Sequence, residues 1–307
     1  MRLYTHPACL THFAGPAHPE APARLRAILE ALDCDQFCAL DRVEAPCASL
    51  EQLSRVHDGA YIERILDTCP ADGAICQLDE DTFMSTGSAE AALRAAGAGV
   101  AAVDAVLSGA IDRAFCAIRP PGHHATRDRA MGFCLFNNVA VAAAHALAAH
   151  GLKRVAIADF DVHHGNGTQA IFAAEPRVLY ASSHQMPLYP DTGAAAETGC
   201  GNIVNAPLPT GTRSHDFRAT WYDVLLPRIA AFRPQLLLVS AGFDAHRLDP
   251  LADVLLEDDD YTWISERLVE LARAHCGGRL VSCLEGGYDL TALRAGVRAH
   301  VAALMDA

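Results

Sequence analysis

The stretch "RVAIADFDVHHGNG" at residues 154–167 joins an apolar run to a cluster of acids and imidazoles. Its first half does not alternate polar with apolar, as a strand with one wet face would. A strand covered on both faces reads this way, and such strands belong to parallel sheets with helices outside. Four further runs share the pattern: "AFCAI" (114–118), "RVLYAS" (177–182), "QLLLVSA" (235–241) and "RLVSCL" (279–284). Helical patterns lie near residues 21–32, 58–68, 88–108, 137–150, 215–231, 260–275 and 290–305. Alternation of strand and helix predicts an α/β fold, a mostly parallel sheet between helices, in a single domain over 1–307.

The polar segments fall in one place. "RPPGHHAT", "DFDVHHGNG", "SSH", "GFDAHRLDP" and "EGGYD" each follow one of the five runs. All therefore sit at carboxyl ends of parallel strands, the edge where open α/β sheets bind ligands.

Composition excludes several classes. The chain has 307 residues, 51% of them hydrophobic, which is enough for a large core. A net charge of −13 argues against a general nucleic-acid binder, because phosphate affinity comes from clustered Lys and Arg. The first ten residues contain no continuous apolar segment, so no secretory signal is expected. The Ala-rich segments 88–107 and 139–149 are interrupted by Glu90, Arg94, Asp104 and His145, so no membrane span is expected either. Eleven scattered cysteines without a CxxC pair read as reduced thiols of a cytoplasmic protein rather than a disulfide framework. The oligomeric state stays open, a homo-oligomer included.

Asp161 and His163 are two residues apart, and in an extended segment they share one face. Asp244 closes another strand and reaches the same point. Two carboxylates and one imidazole leave a position free on a tetrahedral Zn²⁺, the arrangement of catalytic sites. Mixed nitrogen and oxygen donors also suit Fe²⁺ or Mn²⁺. The plainer reading makes Asp161 a helix cap and His163 a core residue; five converging segments weigh against it.

The motifs "HPEAPARL" (18–25), "RPPGHHA", "GFC", "DFDVHHGNG", "SAGFDAH" and "LEGGY", in this order, resemble the histone deacetylase superfamily, and the first looks like its class II branch. That superfamily includes bacterial deacetylase-like amidohydrolases and acetylpolyamine amidohydrolases. The resemblance implies the arginase–deacetylase fold, an eight-stranded parallel sheet between helices, with a narrow tunnel to one Zn²⁺. Binuclear manganese ureohydrolases share that fold. Their D-x-H-x-D pattern has Gly165 here in place of the second Asp, and their D-x-D-x-x-D-P pattern has His246 in place of its second Asp. One metal is therefore expected.

The resemblance also distributes roles. His124 would be the general base and later the general acid, and His123 would stabilise charge, paired with Asp159. Asn166 would buttress His124, and Tyr288 would donate to the developing oxyanion. Gly132 would meet the leaving amine through its carbonyl. Phe133 and Tyr189 would wall the tunnel as parallel rings, Tyr189 standing where Phe is usual. A structural K⁺ would lie among Asp159, Asp161, His163, Ser182 and Ser183, and a second cation near Phe172, Glu175 and Val178. Arg24 would line a product-acetate channel; the alternative is a surface ion pair. Asp81 would contact substrate or support a loop. Polyamine specialists carry a rim glutamate where this chain has Leu251, which favours an acyl-lysine peptide over an acetylpolyamine. The "EDDD" run at 257–260 precedes a helix, where acids are stabilising without any ligand. Other small-molecule amides and a catalytically inactive acyl-binding module are the remaining alternatives. His6, His12, His145, His150, His275 and His300 read as surface or packing residues. His18 reads as structural, His164 as local packing, and His184 and His246 as neighbours of the site at most.

Overall fold

The structure is a computed structural model describing residues 1–68 and 70–306. Cys69 and Ala307, within the expected 1–307 domain, lie outside the described residues. The strands are β1 (Arg2–Thr5), β2 (Asp41–Glu44), β3 (Cys76–Gln77), β4 (Phe83–Met84), β5 (Arg113–Cys116), β6 (Val155–Asp159), β7 (Val178–Gln185), β8 (Ile203–Leu208), β9 (Leu236–Ala241) and β10 (Leu280–Leu284). Eight of them form one sheet in the order β2-β1-β5-β10-β9-β6-β7-β8, every pair parallel. β3 and β4 form a small antiparallel pair apart from it. The five strands expected from apolar runs are buried along their whole length, which is why their sequences do not alternate.

The helices are α1 (Pro22–Ala31), α2 (Leu50–Ser54), α3 (Gly59–Asp67), α4 (Ser88–Leu107), α5 (Asn138–Ala149), α6 (Asn166–Phe172), α7 (Ser214–Thr220), α8 (Leu226–Phe232), α9 (Asp258–Cys276) and α10 (Leu290–Asp306). One helix was expected over 215–231. Instead a π-helical turn at Trp221–Leu225 separates α7 from α8. Pro227 in the first turn of α8 would press its ring on a carbonyl one turn back, and the wider turn there relieves that contact. β7 runs on to Gln185, so Ser182, Ser183 and His184 lie in the strand rather than after it. The acids at 257–260 open α9. Glu257 and Asp260 cap its first turn, and Asp260 accepts hydrogen bonds from Ser214 and Arg218.

The parallel register places Asp159 beside Ser182 on one side and Ser240 on the other. The carboxyl ends of β6, β7, β9 and β10 therefore open together onto one edge. No helix among the described residues is long and apolar enough to cross a membrane. The ten described cysteines are all unpaired.

Candidate active site

Asp161 and His163 leave the end of β6, and Asp244 leaves β9; all three are buried. His163 Nδ1 lies 3.2 Å from Asp161 Oδ1 and 3.2 Å from Asp244 Oδ2. Two ligands of a tetrahedral ion at about 2.0–2.1 Å sit roughly 3.3 Å apart, so the spacing fits a small divalent cation. The carboxylates are aimed by the main chain: Gly286 N donates to Asp161 Oδ2 at 2.8 Å, and Val162 N to Asp244 Oδ1 at 3.0 Å. Burial alone would push the His163 pKa down, but Asp161 and Asp244 overcome it and raise it to about 10. Two carboxylates this close favour positive charge at the point they share, as expected of a cation seat.

Glycines make this closeness possible. A β-carbon at Gly242 would lie 2.1 Å from Asp161 Oδ2, and one at Gly286 would lie 1.9 Å from Asp244 Oδ2. At Gly165 it would meet the Tyr180 hydroxyl at 2.5 Å and Asp159 Oδ2 at 2.6 Å. No side chain fits at 165, so a carboxylate for a second ion has no room there. His246 turns away as well, with Nε2 3.2 Å from Asp258 Oδ1 at the start of α9. Another group with metal-ligand chemistry is Asp104, His145 and His150. There Arg55 donates to His145 Nδ1 at 2.8 Å, which keeps the proton on Nε2, facing Asp104 at 2.7 Å. That cluster is a hydrogen-bonded network joining α4 and α5 to Arg55 at the end of α2.

His123 and His124 follow β5 with ring centroids 4.1 Å apart, yet their surroundings drive them in opposite directions. His123 Nδ1 is 3.1 Å from Asp159 Oδ2, which also accepts from the Tyr180 hydroxyl at 2.9 Å. Burial lowers the His123 pKa, but the charges of Asp161 and Asp159 outweigh it and raise it to about 10. His124 Nδ1 pairs with Asn166 Oδ1 at 2.8 Å. Burial, with the charges of His123 and His163, holds His124 well below the usual imidazole range. The surroundings thus favour the charged form of one ring and the neutral form of its neighbour, the division that acid–base chemistry uses.

A carboxylate that sequence reasoning passed over builds this turn. Glu285 Oε2 accepts from Gly122 N at 2.7 Å and His123 N at 3.1 Å, and its Oε1 accepts from Ser240 at 3.0 Å. Burial raises it to about 7. The only signal in the sequence was a glutamate ending an apolar strand.

A cavity of about 240 Å³ reaches the triad, and Gly132, Phe133, Tyr189, Leu251 and Tyr288 line it with His124 and His163. Phe133 stands edge-on to Tyr288 at 5.8 Å, and Tyr189 edge-on to His124 at 5.2 Å. Gly132 and Phe133 both have positive φ, 56° and 67°. A β-carbon at Gly132 would lie 2.3 Å from the His124 ring, so only glycine lets the imidazole rest on this loop. Asp81 Oδ1 accepts from Gly132 N at 3.1 Å and Thr82 Oγ1 accepts from Phe133 N at 3.0 Å, holding the turn in which Phe133 is strained. Asp81 thus supports the loop. His18 packs its ring on Phe133 at 4.7 Å, so the N-terminal motif reaches the cavity wall.

Arg24 is 1% exposed, which excludes the surface ion pair. Its guanidinium lies 4.8 Å over the Tyr288 ring and donates to the carbonyls of Gly287 and Glu285. Glu20 joins Arg24 to Arg119, and His12, expected to be a surface or packing residue, lies buried 3.3 Å from Glu20. Ser183 Oγ accepts from Trp221 Nε1, and Ser182 Oγ pairs with His184, so both hydroxyls are engaged beside Asp159. A second cation was expected near Phe172, Glu175 and Val178, and there the three carbonyls converge on the side chain of Asn202. They lie 2.8, 3.1 and 2.8 Å from its Nδ2, whose two hydrogens they share. That amide competes with a cation for the same carbonyls. His164 bonds Thr192 and Gln169 while His184 bonds the Gly193 carbonyl, and together they pin the loop that carries Tyr189.

Comparison with known proteins gives the family. Residues 18–304 match the model of the histone deacetylase domain. The chain is 41% identical to the histone deacetylase-like amidohydrolase of Pseudomonas aeruginosa, covering 92% of this chain and 80% of that one. It is 38% identical to the chloroplastic histone deacetylase 14 of Arabidopsis thaliana, covering 99% and 76% respectively. The solved structure of the HDA15 HD domain superposes with a TM-score of 0.92 at 36% identity, over 99% of this chain and 88% of that one. With its eight-stranded parallel sheet and its buried Asp–His–Asp triad, the chain belongs to the histone deacetylase family.

Proposed function

We propose that the protein is a zinc-dependent amidohydrolase that removes acetyl or other acyl groups from an acyl-lysine side chain. The observation that carries this reading is the triad at 3.2 Å spacing, opening into a cavity walled by Phe133, Tyr189 and Tyr288. Zinc held by Asp161, His163 and Asp244 would supply Lewis-acid chemistry, polarising an amide carbonyl and lowering the pKa of water.

The remaining chemistry belongs to the side chains. Neutral His124, its Nδ1 proton held on Asn166 Oδ1, takes a proton at Nε2 from the attacking water and returns it to the leaving amine. Cationic His123 stabilises the negative charge that develops and keeps its neighbour neutral. The Tyr288 hydroxyl donates to the oxyanion. Phe133 and Tyr189 flank the methylene stem, and the Gly132 carbonyl receives the leaving amine. Arg24 marks the path for the acid product.

A structural K⁺ among Asp159, Asp161, His163, Ser182 and Ser183 is part of the same reading. So is a reducing compartment such as the cytoplasm, supported by the unpaired thiols. The partners are an acetyl-lysine peptide or small amide rather than nucleic acid or membrane. Leu251 gives the rim an alkyl group, and Asp81 Oδ1 is already engaged, which supports acyl-lysine over an acetylpolyamine with a distant ammonium. The test compares kcat/KM for an acetyl-lysine peptide and acetylputrescine on zinc-loaded enzyme. The peptide should be preferred; a strong acetylputrescine preference overturns the substrate, and hydrolysis of neither overturns the activity.

A further inference from the structure

The geometry points to Asp249 as the residue that positions Tyr288. Asp249 lies in the loop leaving β9, five residues after Asp244, and is 7% exposed. Its Oδ2 accepts from Tyr288 N at 2.7 Å and from Asp289 N at 3.3 Å. Its Oδ1 accepts from Leu251 N at 3.1 Å. One buried carboxylate therefore joins two cavity-lining residues, Leu251 and Tyr288, that come from different loops.

The need for such an anchor follows from the local sequence. Tyr288 follows two glycines, and Gly287 has φ 121°, a conformation other residues rarely adopt. Glycines let the chain pass close to Asp161 and Asp244, but they also leave it the widest freedom to rotate. Gly286 is fixed by Asp161, and Arg24 holds the oxygen end of the peptide plane before Tyr288 through the Gly287 carbonyl, but neither bond reaches the plane after it. Asp249 sets both, because the amides of residues 288 and 289 share its Oδ2. The tyrosine Cα is thereby fixed, and the ring then rests between the Arg24 guanidinium and the edge of Phe133.

The residue type is informative. Three N–H groups converge, so the partner must accept only, and an ionised carboxylate is acceptor-only. An asparagine would turn its NH₂ toward either Leu251 N or the pair at 288 and 289, losing one side of the clamp. Burying a carboxylate is costly unless hydrogen bonds compensate, and an apolar residue would pack this loop at less cost. The cost is understandable if a hydroxyl at Tyr288 must be held to within about 0.5 Å of its working position.

This inference rests on the oxyanion role proposed for Tyr288, and a double-mutant cycle separates the two. Zinc-loaded Tyr288→Phe should lose about 10²–10³ in kcat with its metal retained. Asp249→Ala, also with metal retained, should lose about 10–100-fold in kcat, the scale of a misplacement near 1 Å. If Asp249 acts through Tyr288, adding Asp249→Ala to Tyr288→Phe should cost less than about threefold more. Asp249→Asn, which keeps one side of the clamp, should lose less and show the same non-additivity, and it serves if Asp249→Ala does not fold. Losses that multiply in the double variant would overturn the positioning role while leaving that of Tyr288 intact. A wild-type rate for Tyr288→Phe would instead remove the oxyanion role itself, and the inference with it.

Discussion

Asn166→Asp is a near-isosteric change whose effect follows from one distance. His124 Nδ1 lies 2.8 Å from Asn166 Oδ1, so the substitution places a full negative charge about 4 Å from the imidazole centre. At an effective dielectric of about 20 that attraction amounts to roughly 4 kcal/mol, or about 3 pKa units as a ceiling. Desolvation of the new carboxylate and the cationic His123 nearby reduce it, and a shift of about 1–3 units is the usual range for such a pair. The sign follows from the role. His124 works as a base only when neutral, so raising its pKa removes active enzyme at low pH. In the wild type, burial and the neighbouring cations hold His124 well below the usual range. The acid limb of kcat/KM should therefore move upward by about 1–3 pH units in Asn166→Asp, while the alkaline plateau changes far less. The assay is kcat/KM on an acetyl-lysine peptide from pH 5 to 10, with bound metal measured in both proteins. An acid limb that stays in place, or moves downward, with metal unchanged refutes the assignment of His124 as the base.

Two further predictions concern groups away from the chemistry. His300 bridges Ser265 and Ser282, and burial lowers its pKa to about 3. The folded protein keeps it neutral while the unfolded chain takes up a proton below about pH 6.5, so its contribution is complete above that pH and is lost as pH falls toward 3. The stability advantage of wild type over His300→Gln should shrink by about 1.4 kcal/mol per pH unit between 6 and 4 in urea titrations; a gap independent of pH contradicts it. At the second-cation position, where Asn202 meets three carbonyls, soaking crystals in Tl⁺ should give no anomalous peak in the wild type. Asn202→Asp, which replaces the donor with an acceptor, should gain that peak and a Tm that rises with K⁺. A wild-type peak among the three carbonyls would show that the amide does not outcompete the ion.

The five central strands were legible because burial on both faces erases alternation, and their motifs marked one edge of the sheet. The other three main-sheet strands were not. β1 and β2 are four residues each, β2 is mostly exposed, and β8 contains Asn205 and Pro207, which read as loop; edge strands tolerate both. The eight-stranded count came from the resemblance alone. At the site, residues held together by local spacing were readable, Asp161 and His163 above all. The carboxylates that hold main chain were not, because their partners are remote in sequence. Glu285 grips Gly122 across 163 residues, and Asp249 grips Tyr288 across 39. Such bonds leave no periodicity and no pairing of side chains to notice. Arg24 shows the same limit, since an arginine on the first helix gives no sign that it ends under a tyrosine near the far end of the chain.

The proposed activity is hydrolysis of an acyl-lysine amide with one metal at Asp161, His163 and Asp244. Its most direct test is a titration of metal-stripped protein with Zn²⁺, following bound zinc and acetate released from an acetyl-lysine peptide in the same samples. Acetate release should rise linearly and saturate at one zinc per chain, and Asp244→Ala should abolish both binding and release. Saturation only at two zinc ions per chain, or zinc binding without acetate release, would contradict it.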